Sequence, residues 1–186
     1  MLYHKPYHHH QWYNPAHYSW NGYNWNYYGN PYYNSSSNHW NNNWNPYYKL
    51  KDYGPNPFVI NIEKAAKQNT TFRTALWTGR HLQVTLMSIN VGEDIGLEIH
   101  PTLDQFLRIE EGQGLVQMGA SKEKLNFQEK VFDGYAIVVP AGTWHNLINI
   151  GNRPIKLYSI YAPPQHPYGT VHETKADAMA AEEHHY

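Results

Sequence analysis

The sequence predicts an all-β domain, either a sandwich or a barrel, preceded by a tail of different composition. From residue 49 onward, short runs rich in β-branched and aromatic residues alternate with Gly, Pro, Asn and Asp at short intervals. This pattern is typical of many short strands joined by turns. The length of 186 residues favours a single domain, and the absence of cysteine excludes disulfide frameworks and Cys-based zinc sites.

Residues 1–48 form the predicted tail. They contain eleven Tyr, eleven Asn, five Trp and six His, but only one branched aliphatic residue, Leu2, and neither Asp nor Glu. Without aliphatic side chains, no core compensates the entropy of ordering this backbone, so we expect disorder. Low charge with Asn and aromatics favours assembly, so the tail is expected to bind itself or other proteins. The His run at 8–10 is either an accidental cluster or an adventitious metal site.

The β domain is expected to span residues 49–165. The stretch PNPFVINIEKAAKQN predicts a short strand and then helical turns over Ile62–Gln68. The β-rich runs that follow are RTALWTG, RHLQVTLMSINVG, IGLEIH, QFLRIEEG, GLVQMG, KVF, YAIVVPAG, HNLINIG and IKLYSIYAP. Residues 166–186 predict a loop, HPYGTVH, and a short helix over 174–183, with Thr174 as its N-cap and four alanines favouring it.

Composition also limits the classes of partner. The net charge is -1 and the pI is near 6.9, whereas a nucleic-acid backbone or an anionic membrane requires a basic surface. No apolar run approaches the roughly 18 residues of a membrane span. The N-terminal MLYHKPYHHH lacks the apolar stretch of a signal peptide. We therefore expect a cytoplasmic protein with no nucleic-acid or membrane partner.

A first group of polar residues lies in and after the run IGLEIH. Side chains alternate along a strand, so Glu98 and His100 would share one face, with Cβ atoms about 6.5 to 7 Å apart. Gln105 opens the next predicted strand, and an antiparallel hairpin would return it toward His100. Two interpretations stay open for these residues: ligands of one metal ion, or a salt-bridged Glu beside a buried, hydrogen-bonded His.

A second group lies in GYAIVVPAGTWHNLIN, where Pro and Gly make a turn and His145 begins the strand beyond it. Together the two groups resemble the cupin family, whose two motifs have fixed spacing. The first spacing is matched by Gly92, Glu98, His100, Gln105 and Gly112. The second is matched by Gly134, Pro140, Gly142, His145 and Asn149, and the resemblance covers roughly residues 58–165.

The resemblance implies a cupin jelly-roll β-barrel with short flanking helices that holds one metal ion near its mouth. By position, Glu98 replaces the family's first His ligand and His100 matches the second. Gln105 replaces the usual Glu, and His145 matches the His of the second motif. The formal ligand charge stays at one negative while the donors become harder, which favours Mn²⁺ or Fe²⁺ and leaves Zn²⁺ or Ni²⁺ as alternatives. A metal-free pocket, in which Glu98 hydrogen-bonds to Gln105 or a histidine, is the other interpretation.

Two classes of function are compatible with this resemblance. The first is a metal-dependent enzyme, an isomerase, lyase or oxygenase, acting on a small sugar-like or carbonyl substrate. Arg73, His166 and His172 are candidates for contacting that substrate, although loop histidines are also common on surfaces. The second is a non-enzymatic assembly protein, since the tail resembles the Tyr/Asn/His-rich segments of bacterial spore-coat proteins, and this role would place the chain in a spore coat. A homodimer formed through an exposed barrel sheet is expected in either case.

Overall fold

A computed structural model describes residues 47–183 of the chain. The predictions made for residues 1–46, including disorder of the tail and the metal-binding alternative for 8–10, lie outside these residues. The described part contains two helices and nine strands in the order α1 Ile62–Gln68, β1 Arg73–Thr78, β2 Gln83–Ile89, β3 Asp104–Glu111, β4 Gly114–Gly119, β5 Phe127–Val131, β6 Ala136–Val139, β7 Trp144–Asn149, β8 Ile155–Ala162, β9 Val171–His172 and α2 Lys175–Glu183.

The strands form two antiparallel sheets around one core. The larger sheet has the order β6-β3-β8-β2-β1-β9 and the smaller has the order β5-β4-β7. One cluster of buried apolar side chains takes Leu107 and Leu157 from the larger sheet and Val116, Val131 and Leu147 from the smaller. The all-β architecture with short flanking helices is therefore confirmed.

The inner face of the larger sheet changes from apolar to polar along its strands. At one level Leu157 of β8 has Met87 and Ile109 as its cross-strand partners, and all three are buried and apolar. Four residues further along β8, Tyr161 pairs instead with Gln83 and Gln105, which are 0% and 2% exposed. The barrel interior is therefore apolar at the level of Leu157 and polar at the level of Tyr161. The candidate site lies in this polar layer.

Three sequence predictions are wrong in detail. Residues 55–60, predicted to begin with a strand, form none, and Val59 is 96% exposed. The run IGLEIH makes only an isolated bridge from Glu98 to His145, because Gly96 has φ +94° and interrupts the extended chain. The two-residue strand β9 was predicted to be loop; it pairs with the first two residues of β1.

Both predicted helices are confirmed, and side chains fix their starts. Asn61 Oδ1 accepts a 2.9 Å hydrogen bond from the N–H of Lys64 at the start of α1. Thr174 Oγ1 accepts one from the N–H of Asp177, whose carboxylate accepts in return from the N–H of Thr174. Neither helix within residues 47–183 has the length and apolar character needed to cross a bilayer.

Candidate metal centre

Glu98 and His145 are held opposite each other by their own main chains. The N–H of Glu98 donates to the carbonyl oxygen of His145 at 3.0 Å, and the N–H of His145 donates to that of Glu98 at 2.9 Å. The side chains of such a directly opposed pair project on the same face. Two residues later, the carbonyl oxygen of His100 accepts a 2.8 Å hydrogen bond from the N–H of Gly142. The turn before β7 is therefore joined to the segment that carries Glu98 and His100.

The three side chains converge on one point. Glu98 Oε1 lies 3.2 Å from Nε2 of His145 and 3.4 Å from Nε2 of His100. One candidate ligand atom from each residue lies within 4.8 Å of the other two. The histidine side chains are 7% and 2% exposed for His100 and His145, and the Glu98 side chain is 16% exposed. Glu98 and His100 point toward the same place although the segment that carries them is not a regular strand.

Hydrogen bonding assigns the tautomer of His145. Its Nδ1 lies 3.0 Å from the carbonyl oxygen of Thr143, which can only accept, so Nδ1 carries the proton of the neutral ring. In the neutral ring Nε2 would then face Glu98 Oε1 with a lone pair, whereas in the doubly protonated ring it would donate a hydrogen bond to that carboxylate. Two acceptors at 3.2 Å repel each other unless a proton or a cation lies with them.

The charge state of Glu98 suits a cation. Burial is the largest influence and would raise the pKa of this carboxyl. The contacts with His100 and His145 and the positive charge of Arg73 together outweigh burial and hold the pKa below its ordinary value. Neighbouring ligands of an octahedral ion with bonds of about 2.1 Å lie about 3.0 Å apart, close to the observed separations. Among the described residues, His100 Nε2 makes no hydrogen bond, and Glu98 Oε1 lies 3.4 Å from it. The donor set therefore fits a small divalent ion.

Gln105 lies in the polar layer, on β3 opposite Tyr161. It is 2% exposed, and its Nε2 donates a 3.1 Å hydrogen bond to Ser159 Oγ. Its Oε1 is buried and accepts no hydrogen bond from the described residues. The cluster of converging ligand atoms contains Glu98, His100 and His145. The assignment of Gln105 as a fourth ligand remains a prediction.

A cavity of about 770 Å³ opens beside the three residues, with Glu98 and His100 in its wall. The loop after β8 lines this cavity with His166, Pro167 and Thr170, and His172 of β9 also lines it. Arg73 and Glu98 line a second, smaller cavity of about 350 Å³. Each of the three predicted substrate-contacting side chains, Arg73, His166 and His172, thus lines a cavity that also reaches Glu98.

His166 is fixed over the cavity by a residue that the sequence analysis did not identify. The side chain of Gln83 donates to the carbonyl oxygen of His166 at 2.8 Å and accepts from its N–H at 2.9 Å. The ring of His166 lies edge-on against Tyr161, with centroids 5.1 Å apart. Burial, followed by the charge of Arg73, lowers the pKa of His166 to about 3. The imidazole is therefore neutral around neutral pH. Alternation along β2 would have marked Gln83 as pointing inward with Thr85 and Met87.

Known proteins are similar to this chain in sequence and in fold. Residues 85–161, which include all four predicted ligands, match the family model of the Cupin domain. YrkC of Bacillus subtilis (strain 168) is 75% identical over 134 residues, which are 72% of this chain and 72% of YrkC. L612 of Acanthamoeba polyphaga mimivirus is 40% identical over 115 residues, covering 61% of this chain and 70% of L612. The crystal structure of BH2720 from Bacillus halodurans superposes with a TM-score of 0.70 at 75% identity, covering 70% of this chain and 99% of BH2720.

Proposed function

The chain belongs to the cupin family, and from that premise we propose that it is a metal-dependent enzyme with one divalent ion in its barrel. Glu98, His100 and His145 are the proposed ligands, with the amide oxygen of Gln105 as a fourth. One observation carries the proposal: with a proton on Nδ1, toward the carbonyl oxygen of Thr143, His145 turns its Nε2 toward a carboxylate oxygen 3.2 Å away. A cation between these two acceptors converts a repulsive contact into two coordinate bonds.

The donor set favours a hard or borderline ion. Two imidazole nitrogens, one carboxylate oxygen and one amide oxygen suit Mn²⁺ or Fe²⁺, with water completing the coordination. Zn²⁺ and Ni²⁺ bind such sites more tightly when they are available, according to the general affinity order of divalent ions. The metal in the purified protein therefore reports both the donor set and the supply of metal during expression.

The surroundings support chemistry on a small polar substrate. A bound ion would supply Lewis acidity toward a carbonyl or hydroxyl oxygen in the adjoining cavity. The chain itself orients His145 through Thr143 and positions the neutral imidazole of His166 over the cavity. A cavity of about 770 Å³ accommodates a molecule of sugar size. We propose a sugar-like or carbonyl substrate, with isomerisation, elimination and oxygenation as the candidate reaction types.

A non-enzymatic assembly role is the second candidate, and the composition of residues 1–48 supports it. Eleven Tyr and eleven Asn without a single acidic residue favour self-association, as a coat layer requires. Under this hypothesis the barrel is a stable module, a homodimer for example, and the tail carries the interactions. Loss of coat or particle association on removal of the tail, with no turnover on any substrate class, would favour this role over the enzyme.

Metal analysis tests the proposed centre directly. The full-length protein is purified without nickel resin, and its metal content is measured by mass spectrometry beside that of Glu98→Ala/His145→Ala. We expect about one ion per wild-type chain and at least about tenfold less in the variant, because two ligands are removed. His81→Ala is the matched control, since His81 is exposed. Equal metal in the wild type and the double variant would move the binding elsewhere, and none in the wild type would refute the proposal.

A further inference from the structure

A short segment before helix α1 contacts the loop that lines the larger cavity. We call this segment, residues 48–54, the strap; the loop, residues 163–170, joins β8 to β9. The N–H of Tyr53 donates to a carbonyl oxygen of β1 at 2.9 Å. The side chain of Gln68 in α1 accepts from the N–H of Tyr48 at 2.7 Å and donates to its carbonyl oxygen at 2.6 Å. The strap is therefore attached to the barrel domain near both of its ends.

Asp52 joins the strap to the loop, and it is 7% exposed. Its Oδ1 accepts hydrogen bonds from the N–H groups of Gly54 and Thr78 at 3.0 and 2.9 Å. Its Oδ2 accepts from the hydroxyl of Thr78 at 2.6 Å and from the N–H of Gly169 at 3.0 Å. The hydroxyl of Tyr168 donates to the main-chain carbonyl oxygen of Asp52 at 3.2 Å. One buried residue of the strap therefore binds two consecutive residues of the loop.

The same hydrogen-bond network extends to His166. The hydroxyl of Thr78, which donates to Asp52, accepts a 2.9 Å hydrogen bond from the side chain of Gln83. That side chain also holds the main chain of His166 by two hydrogen bonds. His166 lines the cavity of about 770 Å³ together with His100. The position of the loop in the cavity wall therefore depends on hydrogen bonds that converge on Asp52 and Gln83.

We propose that the strap controls access to this cavity, with Asp52 as a positioning residue that holds the loop in the cavity wall. When the strap moves away from β1, the loop loses its hydrogen bonds to Asp52 and the cavity opens to solvent. The inference rests on the proposed function, since it takes this cavity as the substrate site. The strap is continuous in sequence with residues 1–47, so an interaction of the tail that displaces the strap also changes access to the site.

The strap suits this role because none of its residues belongs to a strand. Its side chains Tyr48, Leu50 and Tyr53 are only partly buried, and they pack on a small apolar cluster formed by α1, β1 and β2. The loop, in contrast, continues at both ends into paired strands, β8 and β9. Segments with few buried apolar contacts open at a lower free energy than core strands. We therefore expect the strap to detach while the barrel stays folded.

Asp52→Asn removes one acceptor with little change in shape. The amide nitrogen donates instead of accepting, and among the four groups around the carboxylate the hydroxyl of Thr78 is the one that is able to accept from it. The nitrogen therefore takes the place of Oδ2, and the N–H of Gly169 loses its acceptor. Asp133→Asn is the matched control, because Asp133 accepts a 2.7 Å hydrogen bond from the N–H of Gly112 at the turn after β3.

Histidine modification measures access to the cavity. Full-length protein in EDTA is treated with diethyl pyrocarbonate at pH 7, and modification of each histidine is followed by mass spectrometry. In Asp52→Asn we expect His166 and His100 to be modified at least about tenfold faster than in the wild type, because the lost hydrogen bond favours the open loop. His81, which is exposed, should react at an unchanged rate. Tyr168→Phe removes one hydroxyl at a residue that is 64% exposed, and it should give a smaller acceleration of about threefold.

The outcomes separate control of access from a purely structural role. Unchanged modification of His166 in Asp52→Asn overturns the proposal, and so does faster modification of His166 without that of His100, since the cavity then stays closed. The same acceleration in Asp133→Asn also overturns it. Hydrogen exchange of the β8 amides reports opening of the whole barrel; if Asp52→Asn accelerates that exchange equally, Tyr168→Phe decides by the same two histidines. Because EDTA is present throughout, these rates decide the proposal whether or not Mn²⁺ binds, and metal content separately decides the proposed centre.

Discussion

The amide nitrogen of Gln105 donates a 3.1 Å hydrogen bond to the hydroxyl of Ser159, 54 residues away on β8. With the nitrogen in this bond, Oε1 remains as the acceptor of the side chain, buried and without a hydrogen bond from the described residues. A carbonyl oxygen is the amide atom that binds hard cations. If Gln105 is the fourth ligand, as proposed, this contact leaves its oxygen available where the cupin motif has a carboxylate.

Gln105→Glu should make the protein more dependent on metal. Without metal, a carboxylate at this buried position is costly to desolvate and cannot donate the hydrogen bond to Ser159, so we expect a loss of about 1–3 kcal/mol. With Mn²⁺ the added negative charge strengthens coordination. The rise in melting temperature on adding Mn²⁺ should therefore be larger than in the wild type. Differential scanning fluorimetry measures this rise, and Gln113→Glu, at an exposed position, is the control. An equal rise in wild type and variant would exclude Gln105 from the ligand set.

Because of His166, the free energy of unfolding should decrease at acidic pH. Its pKa of about 3 in the folded chain lies below the ordinary value of about 6.5. Between these two pH values the unfolded chain binds a proton that the folded chain does not, so the free energy of unfolding decreases as the pH falls through this window. Urea unfolding from pH 7 to pH 4 should show His166→Gln losing less stability than the wild type, with a difference of about 3 kcal/mol. His81→Gln should follow the wild-type curve, and parallel curves for His166→Gln would contradict the assignment.

Gln83→Leu should release the loop over the cavity. The leucine side chain has a volume close to that of glutamine. It leaves the N–H and the carbonyl oxygen of His166 without their side-chain partner, which costs about 1–3 kcal/mol. Urea unfolding measures this loss. Hydrogen exchange of the His166 amide should also become faster, because its hydrogen bond to Gln83 is gone. Unchanged exchange at this amide would show that other contacts hold the loop, and Gln113→Leu controls for the added apolar side chain.

Gly112→Ala should destabilise the barrel more than Gly134→Ala. Both glycines have positive φ, +104° and +85°, so each alanine bears the conformational cost of about 1–2 kcal/mol. A Cβ at Gly112 would also lie 2.9 Å from Cα of Ile155, whereas one at Gly134 would have no atom within 4 Å. We expect Gly112→Ala to lose about 1–3 kcal/mol more than Gly134→Ala, measured by urea unfolding. Equal losses would mean that the hairpin after β3 shifts freely away from β8.

Sequence pattern predicted the elements whose periodicity extends over several residues. Strand β8 alternates between buried and intermediate exposure along nearly its whole length, so its place in the sheet could be inferred from the spacing of Leu157, Ser159 and Tyr161. Strand β9 has two residues and no period, and its existence depends on pairing with β1. The run IGLEIH was misassigned because the left-handed backbone of Gly96 overrides an alternation that looks regular in the sequence.

The candidate metal ligands could be predicted because their spacing can be compared with that of the cupin motifs. Residues whose partners are distant in the sequence could not be predicted in this way. Spacing alone suggested Glu98, His100 and His145, and the structure brings these three together. Gln83 was not predicted as a site residue because its partner is the main chain of His166, 83 residues further along the sequence. The burial of Arg73 depends on packing between β1, β2 and β9, and no local pattern around a single charged residue encodes it.

The main-chain bridge between Glu98 and His145 joins residues 47 positions apart. Closing a loop of this length costs conformational entropy, and the contacts within the surrounding sheets offset that cost. In small zinc domains the metal organises a chain that is otherwise unfolded. Here β4 pairs with β7, the strand that carries His145, so the sheets themselves hold the proposed ligands in place. We therefore expect chelators to leave the barrel folded, and refolding in the absence of metal to form the same sheets.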